Sequence, residues 1–180
     1  KFVIIRLVSW KASHDIGHKG FSLDYLKRLI ELVENHSKVF LSVEGEIPEE
    51  LEKYKLSIDP TEIHNILYYA ELFIGEGATM ASECAILGTP SIYVNSLSAG
   101  ILEEHKQQNL IHMFNSTDGV IEKTQEILKD NHYKIRQKKI RDKALRNKID
   151  VNKLIEWFIL NYPESSKKLQ EDPNFQYQIN

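Results

Sequence analysis

Cysteine occurs once in 180 residues, at Cys84. Disulfides within the chain are therefore impossible, a Cys-based zinc site is excluded, and the usage fits a reducing, cytoplasmic setting. Charge of one sign is also lacking: 23 Lys and Arg stand against 26 Asp and Glu, a formal net charge of −3. That balance offers no general electrostatic reason to expect nucleic acid as the main partner. Long apolar runs are missing too. The longest, Phe2 to Ile5 and Trp157 to Leu160, fall far short of the ~20 residues that cross a bilayer, and no stretch reads as a secretory signal. Neither an internal repeat nor a low-complexity segment is visible. What is present is 42% apolar and 27% charged residues, the mix of one ordinary soluble domain with a core that needs no staples.

Strand and helix patterns alternate along the chain. Phe2 to Val8 is an apolar run broken only by Arg6, as in a strand covered on both faces. After a polar loop from Ser9 to Gly20, Ser22 offers an N-cap, and Leu23, Leu26, Leu29, Ile30 and Val33 recur at helical spacing. Strands are predicted at Lys38 to Val43, Leu56 to Ile58, Leu72 to Ile74, Ser91 to Val94 and Ile111 to Phe114. Asp59-Pro60-Thr61-Glu62 is a helix start with a capping carboxylate and a proline at the first helical position. Further helices are predicted over Met80 to Leu87, ended by Gly88 and Pro90, near Leu102 to Gln108, and over Val120 to Lys129. The fold class is therefore α/β, a doubly wound Rossmann-like parallel sheet. Ligands in such sheets bind beyond the carboxyl ends of the strands, where the loops Ser9 to Gly20, Gly75 to Thr79 and Asn95 to Gly100 converge.

The chemistry is densest between Phe73 and Val94, which reads as strand, small-residue turn, helix, Gly-x-Pro and strand. Gly77 and Ala78 leave the backbone bare where the helix begins, and its free amides and dipole can seat a phosphate. Thr79, Ser82 and Glu83 share one helix face, while Met80, Cys84 and Leu87 share another. Thr79 and Ser82 can add hydroxyl donors. A glutamate one turn beyond a bound diphosphate can accept hydrogen bonds from two ribose hydroxyls. The plainer reading makes Gly77 a turn residue and Glu83 a solvated carboxylate.

Gly75-Glu-Gly-Ala-Thr-Met-Ala-Ser-Glu83, followed by Leu87-Gly-Thr-Pro90, resembles the nucleotide-sugar motif of GT-B-fold glycosyltransferases and of UDP-N-acetylglucosamine 2-epimerases. Together with Trp10-Lys-Ala-Ser-His-Asp-Ile-Gly-His18, it also resembles an uncharacterised archaeal and bacterial family regarded as GT-B-like. The resemblance runs over about the first 120 residues. It implies that Gly77, Ala78 and Thr79 contact the diphosphate and that Glu83 binds ribose. Glu76 falls where the epimerases have aspartate and several transferases have serine or arginine. The function implied is a UDP-type donor-binding domain of a glycosyltransferase, in surface polysaccharide or glycoconjugate synthesis. It is the carboxyl-terminal GT-B half, spanning residues 1–162 with a tail over 163–180. Alternatives are a 2-epimerase-like enzyme and a non-catalytic nucleotide-binding domain. The expected partners are the nucleotide-sugar donor and an amino-terminal acceptor domain preceding Lys1. No cofactor and no tightly bound cation are expected.

Other candidates lie outside that motif. His14 and Asp15 can serve as general acid or base, with His18 as a substrate contact, because their loop follows the first strand. Asn95 and Ser96 open the third converging loop and are further substrate contacts. His-Asp-Ile-Gly-His imitates a zinc motif, but Gly17 and Gly20 make the required helix poor. Gly75-x-Gly77-x-x-Met80 is a defective dinucleotide fingerprint, with methionine where close helix packing needs a small residue. Lys134 to Lys148 holds eight basic residues, read as a solvated helix face or as a contact for an anionic membrane. Leu154, Ile155, Trp157, Phe158 and Tyr162 form an apolar stripe read by default as core packing, or as an interdomain surface.

Overall fold

The computed structural model describes residues 1–8, 21–97 and 99–179. It divides into two units, Lys1–Arg141 and Asp142–Asn180. The first unit is built on five parallel strands: β1 (Phe2–Leu7), β2 (Lys38–Val43), β3 (Leu72–Gly75), β4 (Ser91–Val94) and β5 (His112–Phe114). Their order across the sheet is β2-β1-β3-β4-β5. Six helices follow the strands: α1 (Leu23–Glu34), α2 (Ile63–Tyr69), α3 (Ala78–Leu87), α4 (Gly100–Gln107), α5 (Val120–Lys129) and α6 (Tyr133–Leu145), the last running past the end of the unit.

Side chains alternate across the sheet because successive strand residues point to opposite faces. Val3, Ile5, Leu41, Leu72, Ile74 and Ile92 pack with Leu29, Ile30 and Val33 of α1 and with Val120 and Ile127 of α5. Ile4, Phe73 and Tyr93 take the alternate positions and are just as buried. On that face α3 packs against α2, α4, β3 and β4. Burial on both sides explains why these strands read as continuous apolar runs. Arg6, the one interruption in β1, donates to Ser42 Oγ at 2.8 Å and pairs with Glu44 at the carboxyl end of β2.

Most predicted boundaries hold to within a residue or two. Ser22 caps α1, its Oγ accepting from the Tyr25 amide at 3.2 Å. The Asp59 carboxylate accepts from the Thr61 amide at 2.9 Å, so a 3₁₀ turn over Pro60–Glu62 leads into α2. The strand expected at Leu56 to Ile58 does not form. Lys55 makes one bridge to Leu41, Leu56 donates to the same carbonyl, and the Asp59 cap then turns the chain away.

In the second unit Asp150 caps α7 (Val151–Leu160), and α8 (Glu164–Glu171) occupies part of the stretch read as a tail. Trp157 meets Phe175 with ring centroids 5.3 Å apart, and Ser165 Oγ donates to the Phe158 carbonyl. The apolar stripe of α7 is not core: no residue of the helix is buried, and Ile155 and Leu160 are 51% and 74% exposed. Among the described residues no helix is long and apolar enough to cross a membrane.

Candidate functional site

The strand order places the site. From β1 the sheet grows one way to β2 and the other way through β3, β4 and β5, and α1 and α3 cover opposite faces of the sheet. Such a topological switch leaves a crevice at the carboxyl edge. Glu76 sits there, directly after β3, and is only 3% exposed. Its carboxylate accepts from the Val8 amide at 3.2 Å and from the Phe21 amide at 2.5 Å. These are the two ends of the loop that carries His14, Asp15 and His18. Those three residues, and the zinc reading with them, lie outside the described residues. Among the described residues no group of three or more His, Cys, Asp and Glu converges as a metal site.

The helix that follows starts at Ala78, two residues before the predicted Met80. Gly77 is its N-cap, in extended conformation, and no side chain caps the helix. Among the described residues the first turn therefore presents amides without a partner, together with the positive end of the dipole, equivalent to about half an elementary charge. At the other end Gly88 adopts φ +76° and closes the helix, with Thr89 N donating to the Cys84 carbonyl at 2.9 Å.

A cavity of about 730 Å³ opens beside this helix. Ala78, Thr79, Ser82 and Glu83 line it, joined by Ile86 and Leu87 of the same helix, His64 of α2, and Ile101 and His105 of α4. The structure thus gathers four of the predicted substrate contacts on one wall. Leu87, expected on another face with Met80 and Cys84, also reaches the cavity, whereas Cys84 points into the core and is fully buried. Burial pushes the Cys84 thiol well above its ordinary range, which leaves it inert. Ser82 Oγ is buried without a hydrogen-bond partner among the described residues. A buried hydroxyl left so costs about 1–3 kcal/mol.

Gly77 borders this wall, and Asn95 stands nearby in sequence order at the end of β4, but its side chain is occupied. Asn95 Nδ2 donates to the Glu76 carbonyl at 3.0 Å and its Oδ1 accepts from the Leu97 amide at 2.9 Å. Asn95 therefore ties the β4 loop to the turn after β3. Ser96 is exposed beside it. His64 and His105 are cavity residues that the sequence reading missed. The sequence places His64 only in the first turn after the Asp59 cap; that α2 packs against the helix carrying Glu83 emerges from the fold.

A second cavity of about 760 Å³ lies at the carboxyl ends of β1 and β2, lined in part by Glu44, Glu46 and Glu76. Three carboxylates make this second cavity unfavourable for an anion.

The basic helix α6 is partly committed to structure. Lys134 Nζ donates to the Tyr68 and Ala70 carbonyls at the end of α2, at 2.8 and 2.5 Å. Lys138 reaches the Tyr68 hydroxyl, and Arg141 donates to the Ile86 carbonyl in the last turn of α3 at 3.1 Å. Cations at helix carboxyl ends complement the dipole and satisfy carbonyls that have no intrahelical donor.

A family model described as "Protein of unknown function (DUF354)" matches residues 17–163. No match is found among curated proteins. Among solved structures, the glycotransferase of kitacinnamycin is similar at TM-score 0.50 and 15% identity, over 81% of this chain and 39% of that one. A structure assigned as a UDP-N-acetylglucosamine 2-epimerase from Listeria monocytogenes is similar at TM-score 0.51 and 12% identity, over 80% and 39%. The wall teichoic acid polymerase TagF, in a single-residue variant, is similar at TM-score 0.51 and 12% identity, over 94% and 45%. The chain thus spans less than half the length of each. At such identities the likeness shows the fold alone, a GT-B Rossmann-like α/β sheet.

Proposed function

The chain belongs to the DUF354 family, and we propose that it is the donor-binding domain of a GT-B-like glycosyltransferase that holds a UDP-type nucleotide sugar beside α3. One observation carries this reading: the start of α3 and the Ser82 hydroxyl, both without a partner among the described residues, stand with the Glu83 carboxylate along one cavity. The diphosphate lies against the amides of Ala78 and Thr79 and the hydroxyls of Thr79 and Ser82. Glu83, one turn deeper, accepts from the ribose hydroxyls.

Glycosyl transfer from such a donor leaves a nucleoside diphosphate carrying more negative charge than before. Fixed amides and a helix dipole aimed at that charge stabilise its departure without reorganising. His14 and Asp15 are the proposed acid–base groups, on the loop whose ends Glu76 holds. The acceptor would come from a second, amino-terminal domain facing this carboxyl-terminal half. Glycoconjugate or surface-polysaccharide synthesis is the process that suits it.

Titration calorimetry with UDP and UDP-sugars, on the wild type and on Glu83→Ala, tests the reading. Binding that the substitution weakens supports it, and unchanged affinity removes Glu83 from the site. The similarity to a 2-epimerase structure supports a second reading. Incubating the full-length protein with UDP-N-acetylglucosamine and looking for the 2-epimer separates the two.

A further inference from the structure

We propose that His64 is a positioning residue that holds the Glu83 carboxylate ready for a vicinal diol, making the cavity selective for ribonucleotides over their 2′-deoxy counterparts. This rests on the reading of the cavity as a nucleotide-sugar seat.

His64 Nε2 lies 3.4 Å from Glu83 Oε1, and both side chains line the same cavity from different helices. Neither is anchored by accident. His64 stands three residues before Leu67, the fully buried residue of α2, whose carbonyl accepts from Thr89 Oγ1 at 2.8 Å. Asp59 fixes the entry to that helix. Glu83 sits one residue before buried Cys84 in α3. Two pinned helices therefore set the spacing of the pair.

Glutamate has three rotatable bonds, and ordering such a side chain costs up to about 2 kcal/mol. Two ribose hydroxyls need two acceptor oxygens at once, so a free carboxylate must bear that cost on binding. A carboxylate restrained by the imidazole beside Oε1 bears less of it, and it keeps Oε2 and its remaining lone pairs for the diol. A 2′-deoxynucleotide offers one hydroxyl and gains little from the arrangement. His64 is 62% exposed and Glu83 33%, so the contact adds little to folding stability and its effect is read in binding.

Calorimetry on the full-length protein with UDP, CDP, GDP and ADP identifies the nucleotide that binds. The wild type, His64→Ala and His64→Gln are then titrated with that nucleotide, its 2′-deoxy form and inorganic diphosphate. His64→Ala is expected to weaken the ribonucleotide about two- to fivefold and to leave the deoxynucleotide and diphosphate nearly unchanged, lowering the ribo-to-deoxy ratio by the same factor. His64→Gln, which keeps an N–H donor, should recover part of that ratio. Melting temperature serves as the folding control and should not move, because His64 is exposed. If the wild type binds a nucleotide and His64→Ala leaves the ratio intact, the positioning role is wrong while the nucleotide seat stands. If no nucleoside diphosphate binds the wild type, both fall.

Discussion

The carboxylate of Glu76 takes the backbone amide of Phe21 across 55 positions of sequence, and the Val8 amide with it. One buried acidic residue thereby joins the exit of β1 to the entrance of α1 across the switch point of the sheet.

Replacing Glu76 by Ala leaves two amides without their acceptor, at about 1–3 kcal/mol each where they are shielded from water. Urea unfolding should show a midpoint shift corresponding to a loss of about 2–4 kcal/mol. Glu76→Gln, which keeps one acceptor oxygen, should lose about half of that. A wild-type midpoint in Glu76→Ala would mean that the two amides find other acceptors.

The two glycines flanking Glu76 should respond differently to alanine. A Cβ on Gly75 would stand 2.6 Å from Phe73 Cζ and 2.8 Å from Cβ of Arg6, its register partner on β1. A Cβ on Gly77 would meet Val8 at 3.6 Å, an ordinary contact. Gly75→Ala should therefore destabilise the fold by about 1–3 kcal/mol, as overpacking does. Gly77→Ala should stay within about 0.5 kcal/mol of wild type. Equal melting temperatures for the two variants would contradict this.

Ser82→Ala removes a buried hydroxyl that has no partner among the described residues. Thermal stability should hold or rise slightly, while affinity for UDP falls about three- to tenfold through loss of a donor to the diphosphate. A clear drop in stability would show that the hydroxyl already bonds within the protein.

Burial lowers the Lys134 ammonium from its usual value to about 8, against the pull of Glu71 and with the help of Lys138. The folded value lies below the unfolded one, so between about 8 and 10.5 the unfolded chain binds more protons. The stabilising contribution is full above the unfolded value and is lost as pH falls through about 8. A neutral amine still has two hydrogens for the Tyr68 and Ala70 carbonyls. Urea unfolding of wild type and Lys134→Met at pH 7 and pH 9.5 should therefore differ more at the higher pH, in favour of the wild type. A difference that shrinks on raising the pH would overturn the assignment.

The sheet was legible in the amino-acid order because its strands are buried on both faces and bounded by caps such as Ser22 and Asp59. Leu56 to Ile58 misled because the alternating pattern Leu56-Ser57-Ile58 carries no record of the Asp59 cap that turns the chain away after one bridge. The α7 stripe, Leu154 to Tyr162, misled because helical periodicity identifies an apolar face without identifying what covers it. At the site, Ala78, Thr79, Ser82 and Glu83 could be placed on one face because helical spacing is local. His64 escaped because its meeting with Glu83 is made by the packing of two helices 19 positions apart. Glu76 was assigned no role since its partners are main-chain amides, which leave no trace in residue type.

With its thiol sealed in the interior and shifted away from ionisation, Cys84 should ignore maleimide in the native protein. A cysteine introduced at position 64 would then be the sole attachment point for a fluorophore, and its emission would report directly on occupancy of the neighbouring hollow.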